Sequence, residues 1–305
     1  MATFNPLLSI IIISYNTEKI TKDCIDSIYK SLSSNSPNHP NLPFELIVID
    51  NASTDDSPQM LQSLQKHHDN LILIQNEKNT GFAKANNQAV FHAKGVYLLF
   101  LNSDTVVLDN AIKKLILYFR ENEDEVHFLG GKLLNKDLTP QASCGPFYSL
   151  PVVFAALFLK GDYWSLTRYS PNITKEIDWI SGACILTKKS YYEKIGGFDE
   201  KIFMYMDEID LLYRAKKQEF HVWFYPKAQF IHLGSASSGN KTYPILQVYR
   251  GFLYFYNKHH SPLSMLFLKV MLQLKALTAI IIGKITNNKY LLTTYGEALE
   301  LIKMA

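Results

Sequence analysis

The chain has 305 residues, which is enough for one large domain or two intimately packed domains with a sizeable core. Hydrophobic residues make up 47% and charged residues 19%, an ordinary globular composition that argues against a disordered or fibrous protein. The three cysteines are odd in number and no pair has metal-ligand spacing, so free thiols in a reducing compartment are expected.

The net charge of +3 conceals an asymmetry along the chain. Residues 240–305 hold eight Lys or Arg and two Glu, whereas the first 239 residues are mildly acidic. A basic tail suggests an anionic surface as its partner, either a membrane or a nucleic acid. A solvated helical face explains the charge equally well, so charge alone does not choose between these readings.

The first hundred residues alternate between apolar runs and segments with helical spacing. Strands are predicted at 8–13, 44–49, 71–74 and 96–101, and their lack of polar alternation is typical of strands buried on both faces. No basic segment precedes the first run, which therefore reads as a strand rather than a signal peptide. The order predicts an α/β fold with a Rossmann-like, doubly wound, mostly parallel sheet and right-handed crossovers.

Polar residues follow three of these strands at the point where each strand ends. Asn16, Asp50 and Asp104 come just after the first, second and fourth predicted strands. Strand ends favour Asn, Ser and Asp in any case, but in a doubly wound sheet these ends converge on one ligand-binding crevice. Neither a G-x-G-x-x-G fingerprint nor a G-K-[ST] loop follows the first strand, which argues against an NAD or ATPase site. Carboxylates without glycines suit a diphosphate held through Mg²⁺ or Mn²⁺.

The second half of the chain contains two further motifs that could carry chemistry. A helix is predicted to begin near Asp207, Glu208 and Asp210, and three carboxylates in four residues exceed what helix capping needs. One of them could act as a general base if a dry cleft raised its pKa. His232 follows a predicted strand and could ligate a metal, although a lone histidine is more often an ordinary core or surface residue.

Taken together, the motifs resemble the inverting glycosyltransferases of family 2, which have the GT-A fold, and most closely their rhamnosyltransferase-like bacterial branch. The resemblance covers about residues 8–237 and rests on eight segments in the family's order and spacing. The segments are Ser9-Ile-Ile-Ile-Ile-Ser-Tyr-Asn16, Val48-Ile-Asp-Asn-Ala-Ser-Thr-Asp55, Asn79-Thr-Gly-Phe-Ala-Lys-Ala-Asn-Asn87, Leu101-Asn-Ser-Asp104, Ser181-Gly-Ala183, Gly196-Gly-Phe-Asp-Glu200, Tyr205-Met-Asp-Glu-Ile-Asp-Leu211 and His232. Each segment is weak alone, whereas the ordered set is specific.

The resemblance implies that the first half of the chain binds a nucleoside-diphosphate sugar. Asp50 is expected to hydrogen-bond the base or the ribose, with Lys84 near the diphosphate. The other expected nucleotide-sugar contacts are Ser14, Asn16, Glu18, Gly81, Asn87, Asn102 and Ser103. The residues expected to form the acceptor and sugar pocket are Trp179, Ser181, Gly182 and Asp210.

The resemblance also implies a metal site. Asn102-Ser103-Asp104 stands at the family's Asp-x-Asp motif, so Asp104 would ligate Mg²⁺ or Mn²⁺, and His232 would be an additional ligand. Asn102 replaces the first aspartate of the motif and leaves fewer formal charges to hold the cation.

The family's Glu-Asp pair, which supplies the catalytic base, stands here with its acid types exchanged, as Asp207-Glu208. By alignment Glu208 is the base, and Asp207 is the alternative. The implied reaction is a single displacement that inverts the anomeric centre. It would move a hexosyl group from a UDP- or dTDP-sugar, dTDP-rhamnose among the candidates, to a hydroxyl of a cell-surface glycan or a lipid-linked glycan precursor.

Two other functions are kept beside this one. A nucleotidyltransferase also binds nucleotides on a doubly wound sheet, but its glycine-rich basic loop after the first strand is missing. A non-catalytic module that binds sugar nucleotides would need the metal or base position to be lost, and both positions remain. We expect a cytoplasmic protein, at the inner face of the cell membrane if it contacts lipid, with no nucleic-acid partner; a homo-oligomer is left open.

The predicted domain organisation has three parts. Residues 1–105 form the nucleotide-sugar-binding half of the GT-A domain, 106–240 the acceptor-binding and catalytic half, and 241–305 a helical C-terminal extension. Within the extension, 261–285 is apolar almost all round, which suits either an interfacial helix on anionic lipid or a helix packed on the protein. Residues 135–178 are predicted to be irregular, and 178–186 a single strand with an internal glycine.

Overall fold

The computed structural model describes residues 5–33, 42–234 and 242–305 of the chain. The strands are β1 (Leu8–Ser14), β2 (Phe44–Asp50), β3 (Leu71–Gln75), β4 (Tyr97–Leu101), β5 (Thr105–Val107), β6 (Phe128–Leu134), β7 (Cys144–Gly145), β8 (Lys175–Ile177), β9 (Trp179–Ile180), β10 (Cys184–Lys188) and β11 (Val222–His232). The helices are α1 (Glu18–Ser33), α2 (Ser57–His67), α3 (Phe82–His92), α4 (Ala111–Glu121), α5 (Leu150–Phe158), α6 (Lys189–Lys194), α7 (Asp207–Lys217), α8 (Thr242–His259), α9 (Pro262–Ile285) and α10 (Lys289–Met304).

A mixed sheet forms the centre of the molecule, with strand order β3-β2-β1-β4-β10-β6-β11-β5 and β8 added against β11. Neighbours among β3, β2, β1 and β4 are parallel, as are β6 and β11, whereas β10 runs antiparallel between β4 and β6. The buried apolar runs of β1, β2 and β4 explain why these strands lie inside the sheet. The predicted α/β fold with a mostly parallel sheet and C-terminal helices is confirmed.

The strand order reverses at β1, and this reversal positions the candidate site. The chain moves from β1 to β2 and β3 on one side, then returns to β4 on the other side of β1. Loops leaving the carboxyl ends of β1 and β4 therefore diverge and leave a crevice between them. The antiparallel β10 begins at the same edge, because Cys184 pairs with Leu101 at the end of β4.

Two local predictions were wrong. Residues 135–178 contain a helix, α5, whose Pro151 occupies the first turn, where a missing amide hydrogen costs nothing. Its residues are apolar on most sides, so no amphipathic period marked it in the sequence. The expected single strand at 178–186 is two short strands, β9 and β10, separated by a turn at Gly182 and Ala183.

The C-terminal helices pack on the sheet domain and on one another. Buried residues of α8, α9 and α10 belong to the same apolar cluster as residues of the central sheet. By length and composition α9 could cross a membrane, because it has 24 residues and contains an 18-residue window with a mean hydropathy of 1.9. Of that window, 22% is buried inside the protein. The predicted division between 106–240 and 241–305 falls at residues outside the described ranges.

Candidate active site

A cleft of about 610 Å³ opens at the carboxyl ends of β1 and β4. It brings together nine of the residues that the sequence singled out, namely Gly81, Asn102, Ser103, Asp104, Ser181, Gly182, Asp207, Glu208 and His232. These residues come from five separate parts of the chain, so the fold gathers them into one concave surface, as expected for a ligand site.

Asp104 lies just before β5 and His232 ends β11, and the two side chains meet where β5 pairs with β11. The Oδ1 atom of Asp104 lies 3.3 Å from Nε2 of His232, and both side chains are largely buried. The other ring nitrogen, Nδ1, lies 2.6 Å from Oε1 of Gln141, an oxygen that can only accept a hydrogen bond. Nδ1 therefore carries the hydrogen, and the lone pair of Nε2 is directed toward Asp104 and, at 3.4 Å, the amide of Asn102.

This arrangement fits a divalent cation that receives only part of its coordination shell from the protein. A carboxylate oxygen and an imidazole lone pair converge, and Gln141 fixes the ring as the outer partner of a metal-bound histidine usually does. Among the described residues, no group of three or more His, Cys, Asp or Glu side chains could hold a metal. Diphosphate oxygens and water would have to supply the other ligands, as is common for Mg²⁺.

Asp207 and Glu208 begin helix α7 and line the same cleft. Met206 precedes them in a left-handed conformation, with a φ of 66°, which turns the chain sharply into the helix. Burial raises the pKa of Asp207 well above its usual range, and the adjacent Glu208 charge and a hydrogen bond between the two carboxyls raise it further. Burial also raises the pKa of Glu208, while that same hydrogen bond opposes the rise. Burial and this hydrogen bond therefore favour the proton on Asp207 and the negative charge on Glu208.

Glu208 is held by a close approach of the β9–β10 turn. A Cβ atom added to Gly182 would lie 3.6 Å from Cβ of Glu208, which is an ordinary van der Waals distance. A backbone hydrogen bond from Gly182 and the positive charge of Arg168 both favour the ionised form of Glu208. Arg168 also lines the cleft and is paired with Asp162.

The donor side of the cleft has a hydrogen-bonded frame built around Asn51. Its Oδ1 accepts from the amide and hydroxyl groups of Thr80, and its Nδ2 donates to Oδ1 of Asn79. The neighbouring Asp50 is only 2% exposed, and one of its oxygens accepts from the amide of Ser53. No described residue donates a hydrogen bond to the other oxygen, Oδ1, which is therefore a buried acceptor without a partner in the described part of the chain.

Besides Asp50, five of the expected nucleotide contacts do not line this cleft. The side chain of Asn16 accepts from Thr54, and the hydroxyl of Ser14 lies buried within hydrogen-bonding distance of the Thr17 and Thr21 hydroxyls. The backbone of Glu18 is bonded to Asp55. The remaining two of the five are Lys84 and Asn87, which lie on α3 outside the lining of the cleft.

On α3, Asn87 organises a distant turn instead of facing the cleft. Its amide donates to the carbonyl of Phe198 and to Glu200, and its carbonyl oxygen accepts from the amide of Phe198 and the hydroxyl of Tyr192. Lys84 is largely exposed and lies 3.9 Å from Glu200. All the polar atoms of Asn87 are engaged within the protein. The expected contact of Lys84 and Asn87 with the donor stays a prediction.

Two expected acceptor-pocket residues, Trp179 and Asp210, lie outside the lining of the cleft. Trp179 is 3% exposed, and its indole nitrogen donates to the carbonyl of Pro146. Asp210 is completely buried and lies 2.8 Å from Nε of Arg214, 2.8 Å from Nζ of Lys258 and 2.7 Å from Nε2 of His259. Asp210 follows Glu208 by two residues and so points away from the cleft, toward α8.

The ion pairs of Asp210 tie the helix that carries the carboxyl pair to the C-terminal extension. Lys258 also bonds to Asp199, 2.6 Å away, and Arg214 donates to the carbonyl of Gly197 at 2.6 Å. One buried carboxylate thus connects α7, α8 and the turn at 196–199. The C-terminal extension is consequently part of the support of the site.

Sequence reasoning missed several residues that line the cleft, among them Tyr15, Asn51, Asn79, Gln141 and Arg168. Tyr15, Asn51 and Asn79 lie inside the matched motifs, where the neighbouring residues drew attention instead. Gln141 and Arg168 lie in the stretch that carried no periodic signal. Only their distance from His232 and Glu208 in the folded chain identifies them.

Comparisons with known proteins agree with this architecture. The sequence model described as "Glycosyl transferase family 2" matches residues 9–196, more than half of the chain. Over 140 residues the chain is 31% identical to the "Putative teichuronic acid biosynthesis glycosyltransferase TuaG" of Bacillus subtilis, which covers 46% of this chain and 52% of that protein. The chain therefore spans about half the length of this relative.

A second relative and a solved structure extend the similarity further along the chain. The N-acetylglucosaminyl-diphospho-decaprenol L-rhamnosyltransferase of Mycobacterium tuberculosis is 25% identical over 218 residues, which cover 65% of this chain and 69% of that one. The mannosyltransferase PcManGT from Pyrobaculum calidifontis, solved with GDP-Man and Mn²⁺, shares the fold with a TM-score of 0.58 at 15% identity, over 99% of this chain and 76% of that one. The family match and the motifs in the cleft lead to one conclusion: the chain belongs to glycosyl transferase family 2.

Proposed function

We propose that the protein is an inverting, metal-dependent glycosyltransferase that moves a sugar from a nucleoside-diphosphate donor to a hydroxyl group of a glycan or lipid-linked precursor. One observation carries the proposal. A single cleft contains both the Asp207–Glu208 carboxyl pair and the Asp104–His232 pair. A base for the acceptor and a holder for the leaving diphosphate are the two elements that a direct displacement requires.

Glu208 is the proposed general base. As the acceptor oxygen attacks the anomeric carbon, its proton passes to the Glu208 carboxylate and the bond from that carbon to the diphosphate oxygen breaks. Asp207 keeps its own proton and donates a hydrogen bond to Glu208, which holds the base in place. One displacement at the anomeric carbon inverts its configuration, and no enzyme nucleophile is needed.

The activity should fall on acidification at a pH above the ordinary range of carboxyl groups. The pKa of each member of the pair is raised, chiefly by burial, and protonation of Glu208 removes the base. Transfer is therefore expected above the raised pKa and lost as the pH falls through it. A rate profile measured against pH, with donor at saturation, checks this sign.

Asp104 and His232 are the residues that would hold Mg²⁺ or Mn²⁺. When bound there, the cation would offset the negative charge that builds on the departing nucleoside diphosphate. Gln141 orients His232, and Asn102 lies beside the same nitrogen. PcManGT, which shares the fold, was solved with Mn²⁺, and this supports a divalent cation for the present chain.

For the donor we propose a UDP- or dTDP-sugar, dTDP-rhamnose among them, held by its base or ribose at Asp50. The buried, unpartnered oxygen of that carboxylate supports this role. The names of the relatives, a teichuronic acid glycosyltransferase and a rhamnosyltransferase acting on a diphospho-decaprenol, support a cell-envelope acceptor. We accordingly place the reaction in the cytoplasm, at the inner face of the membrane, with residues 261–285 in contact with lipid.

A donor screen tests the proposal. The purified chain is incubated with UDP-, dTDP- and GDP-sugars, with Mg²⁺, Mn²⁺ or a chelator, and nucleotide products are read by mass spectrometry. We expect release of nucleoside diphosphate from one donor class, dependent on the cation. Release of inorganic pyrophosphate or a nucleotidyl product would indicate a nucleotidyltransferase instead. Binding of a donor without any turnover, with acceptor extracts present, would indicate a non-catalytic module.

A further inference from the structure

Helix α9 is apolar on two opposite sides. One side packs on the protein through five buried residues. They are Leu268, Leu272, Ala276, Ala279 and Gly283. The opposite side exposes a second apolar stripe, made of Leu263, Leu266, Phe267, Val270, Leu274, Leu277, Ile281 and Ile285, each between 43% and 79% exposed. Both stripes recur at spacings of three and four residues, so each runs the length of the helix.

The inner stripe decides between a helix that spans a bilayer and one that lies on its surface. Leu268 and Leu272 are completely buried and belong to the main apolar cluster of the protein. Lys275 also donates to the carbonyl of Leu157 at the end of α5. A bilayer could enclose α9 only if these contacts were broken, whereas the outer stripe can enter the membrane interface with the fold intact.

A second exposed apolar patch adjoins α9. Helix α5 packs against α9, and the segment after it exposes Leu159, Tyr163, Trp164 and Leu166, with Tyr163 at 77% and Trp164 at 65%. Tyrosine and tryptophan are the side chains that favour the boundary between lipid headgroups and acyl chains. This segment folds back on itself through the pairing of Asp162 with Arg168, the residue that lines the cleft beside Glu208.

The charges around the patch favour an anionic partner. Helix α9 contains no acidic residue, and besides Lys275, which bonds to Leu157, it carries Lys269 and Lys284. Exposed Lys160 and Lys289 stand at the ends of the two neighbouring segments. Lysine residues beside an exposed apolar stripe add electrostatic attraction to anionic lipid headgroups. A second copy of the chain would bring the same positive charges face to face, which opposes self-association at this surface.

We propose that the outer stripe of α9 and the aromatic segment 159–166 form one docking face for an anionic bilayer. The face adjoins the acceptor side of the cleft, because Trp164 is separated from Arg168 by only four residues, which reach roughly 14 Å at most. Docking would thus hold the cleft beside the membrane surface. The further claim that this orientation presents the cleft to a lipid-linked acceptor rests on the proposed function.

Intrinsic fluorescence gives a direct test, because the three tryptophans differ in exposure. Trp179 is 3% exposed, Trp223 is half-buried, and Trp164 is the most exposed at 65%. The full chain is titrated with vesicles of phosphatidylcholine alone and of phosphatidylcholine mixed with phosphatidylglycerol. We expect a blue shift and quenching by brominated acyl chains with the anionic vesicles only, and we expect Trp164→Phe to remove most of both signals while flotation with the vesicles persists.

Two variants separate the face from general stickiness. Leu274→Ser combined with Ile281→Ser removes apolar area from the outer stripe and should weaken vesicle binding by about tenfold or more. The matched control is Phe91→Ser on α3, which is 84% exposed but lies outside this face, and it should bind as the unaltered chain does. None of the three substituted positions lines the cleft, so release of nucleoside diphosphate from the donor should be unchanged in both variants.

Several outcomes would overturn the docking face. They are equal binding to neutral vesicles, binding without any change at Trp164, or no binding together with concentration-dependent dimers that Leu274→Ser dissociates. The last result would assign the stripe to a second copy. A chain that binds anionic vesicles through Trp164 but releases nucleotide from no donor would refute the proposed function and leave the docking face standing.

Discussion

Replacing Asp210 with asparagine should destabilise the protein strongly, although the residue does not touch the cleft. The change keeps the shape of the side chain but removes the charge that Arg214, Lys258 and His259 contact at 2.7–2.8 Å. Removal of one partner from a buried ion pair costs about 3–5 kcal/mol, because it leaves uncompensated charge behind. We expect a loss of this size in the free energy of unfolding, a large fraction of the roughly 5–15 kcal/mol typical of a folded domain.

The assay is urea unfolding followed by circular dichroism, with Asp26→Asn as the matched control. Asp26 pairs with Lys22 at 2.6 Å at a helical spacing of four residues, as Asp210 does with Arg214, but both members of the control pair are about half exposed. Exposed pairs contribute little to stability, so the control should change the unfolding midpoint much less. Equal effects of the two substitutions would refute the reasoning, because burial would then have no influence.

The pH dependence of the same difference provides an internal check. Burial raises the pKa of Asp210, but the hydrogen bond from His259 and the charges of Arg214 and Lys258 outweigh it, and the net pKa lies below the ordinary value. A carboxyl group with a lowered folded pKa stabilises the fold above its unfolded pKa of about 3.9, and this stabilisation is lost as the pH falls through the folded pKa. The gap between the unaltered chain and Asp210→Asn should be present above about pH 4 and narrow below it.

Two further predictions concern the walls of the cleft. Gln141→Ala should weaken the apparent affinity for Mn²⁺ by about 10–100-fold, because His232 loses the acceptor that orients its ring. The measurement is the dependence of turnover on Mn²⁺ concentration, and an unchanged dependence would show that Gln141 does not orient the His232 ring. Gly81→Ala should lower the melting temperature, because φ is +84° and the new Cβ would lie 2.7 Å from the carbonyl oxygen of Phe203. Gly182→Ala should melt like the unaltered chain, because the nearest atom to its new Cβ would be Cβ of Glu208 at 3.6 Å. Equal melting temperatures for the two variants would contradict this comparison.

The sequence was sufficient for the parts of the site that are set by local order. A strand end fixes where Asp104 emerges, and a helix start fixes where Asp207 and Glu208 emerge, so motif position alone predicted that they meet. The sheet and its switch point followed from uninterrupted apolar runs, because such runs are buried on both faces in a parallel sheet. The structure and the family match confirm the fold and the family.

The directions of individual side chains were not available from the same patterns. Asn87 and Asp210 stand within strong motifs, yet packing turns the first toward Phe198, 111 residues away, and the second toward Lys258, 48 residues away. Helix α5 was missed because a helix that is apolar on most sides shows no period. For α9 the sequence offered either burial or lipid contact, and the structure shows a buried face and an exposed apolar face on the same helix.

The central claim is that Glu208 takes the proton of the acceptor while Asp207 stays protonated beside it. The most direct measurement is turnover of one donor by the unaltered chain, Glu208→Gln and Asp207→Asn, with nucleoside-diphosphate binding in Mn²⁺ determined by titration calorimetry. We predict that Glu208→Gln binds the nucleotide as tightly as the unaltered chain but loses about 10²–10⁴-fold in turnover. Asp207→Asn, which keeps a hydrogen-bond donor at that position, should retain more activity. Substantial turnover by Glu208→Gln together with an inactive Asp207→Asn would contradict the account and make Asp207 the base.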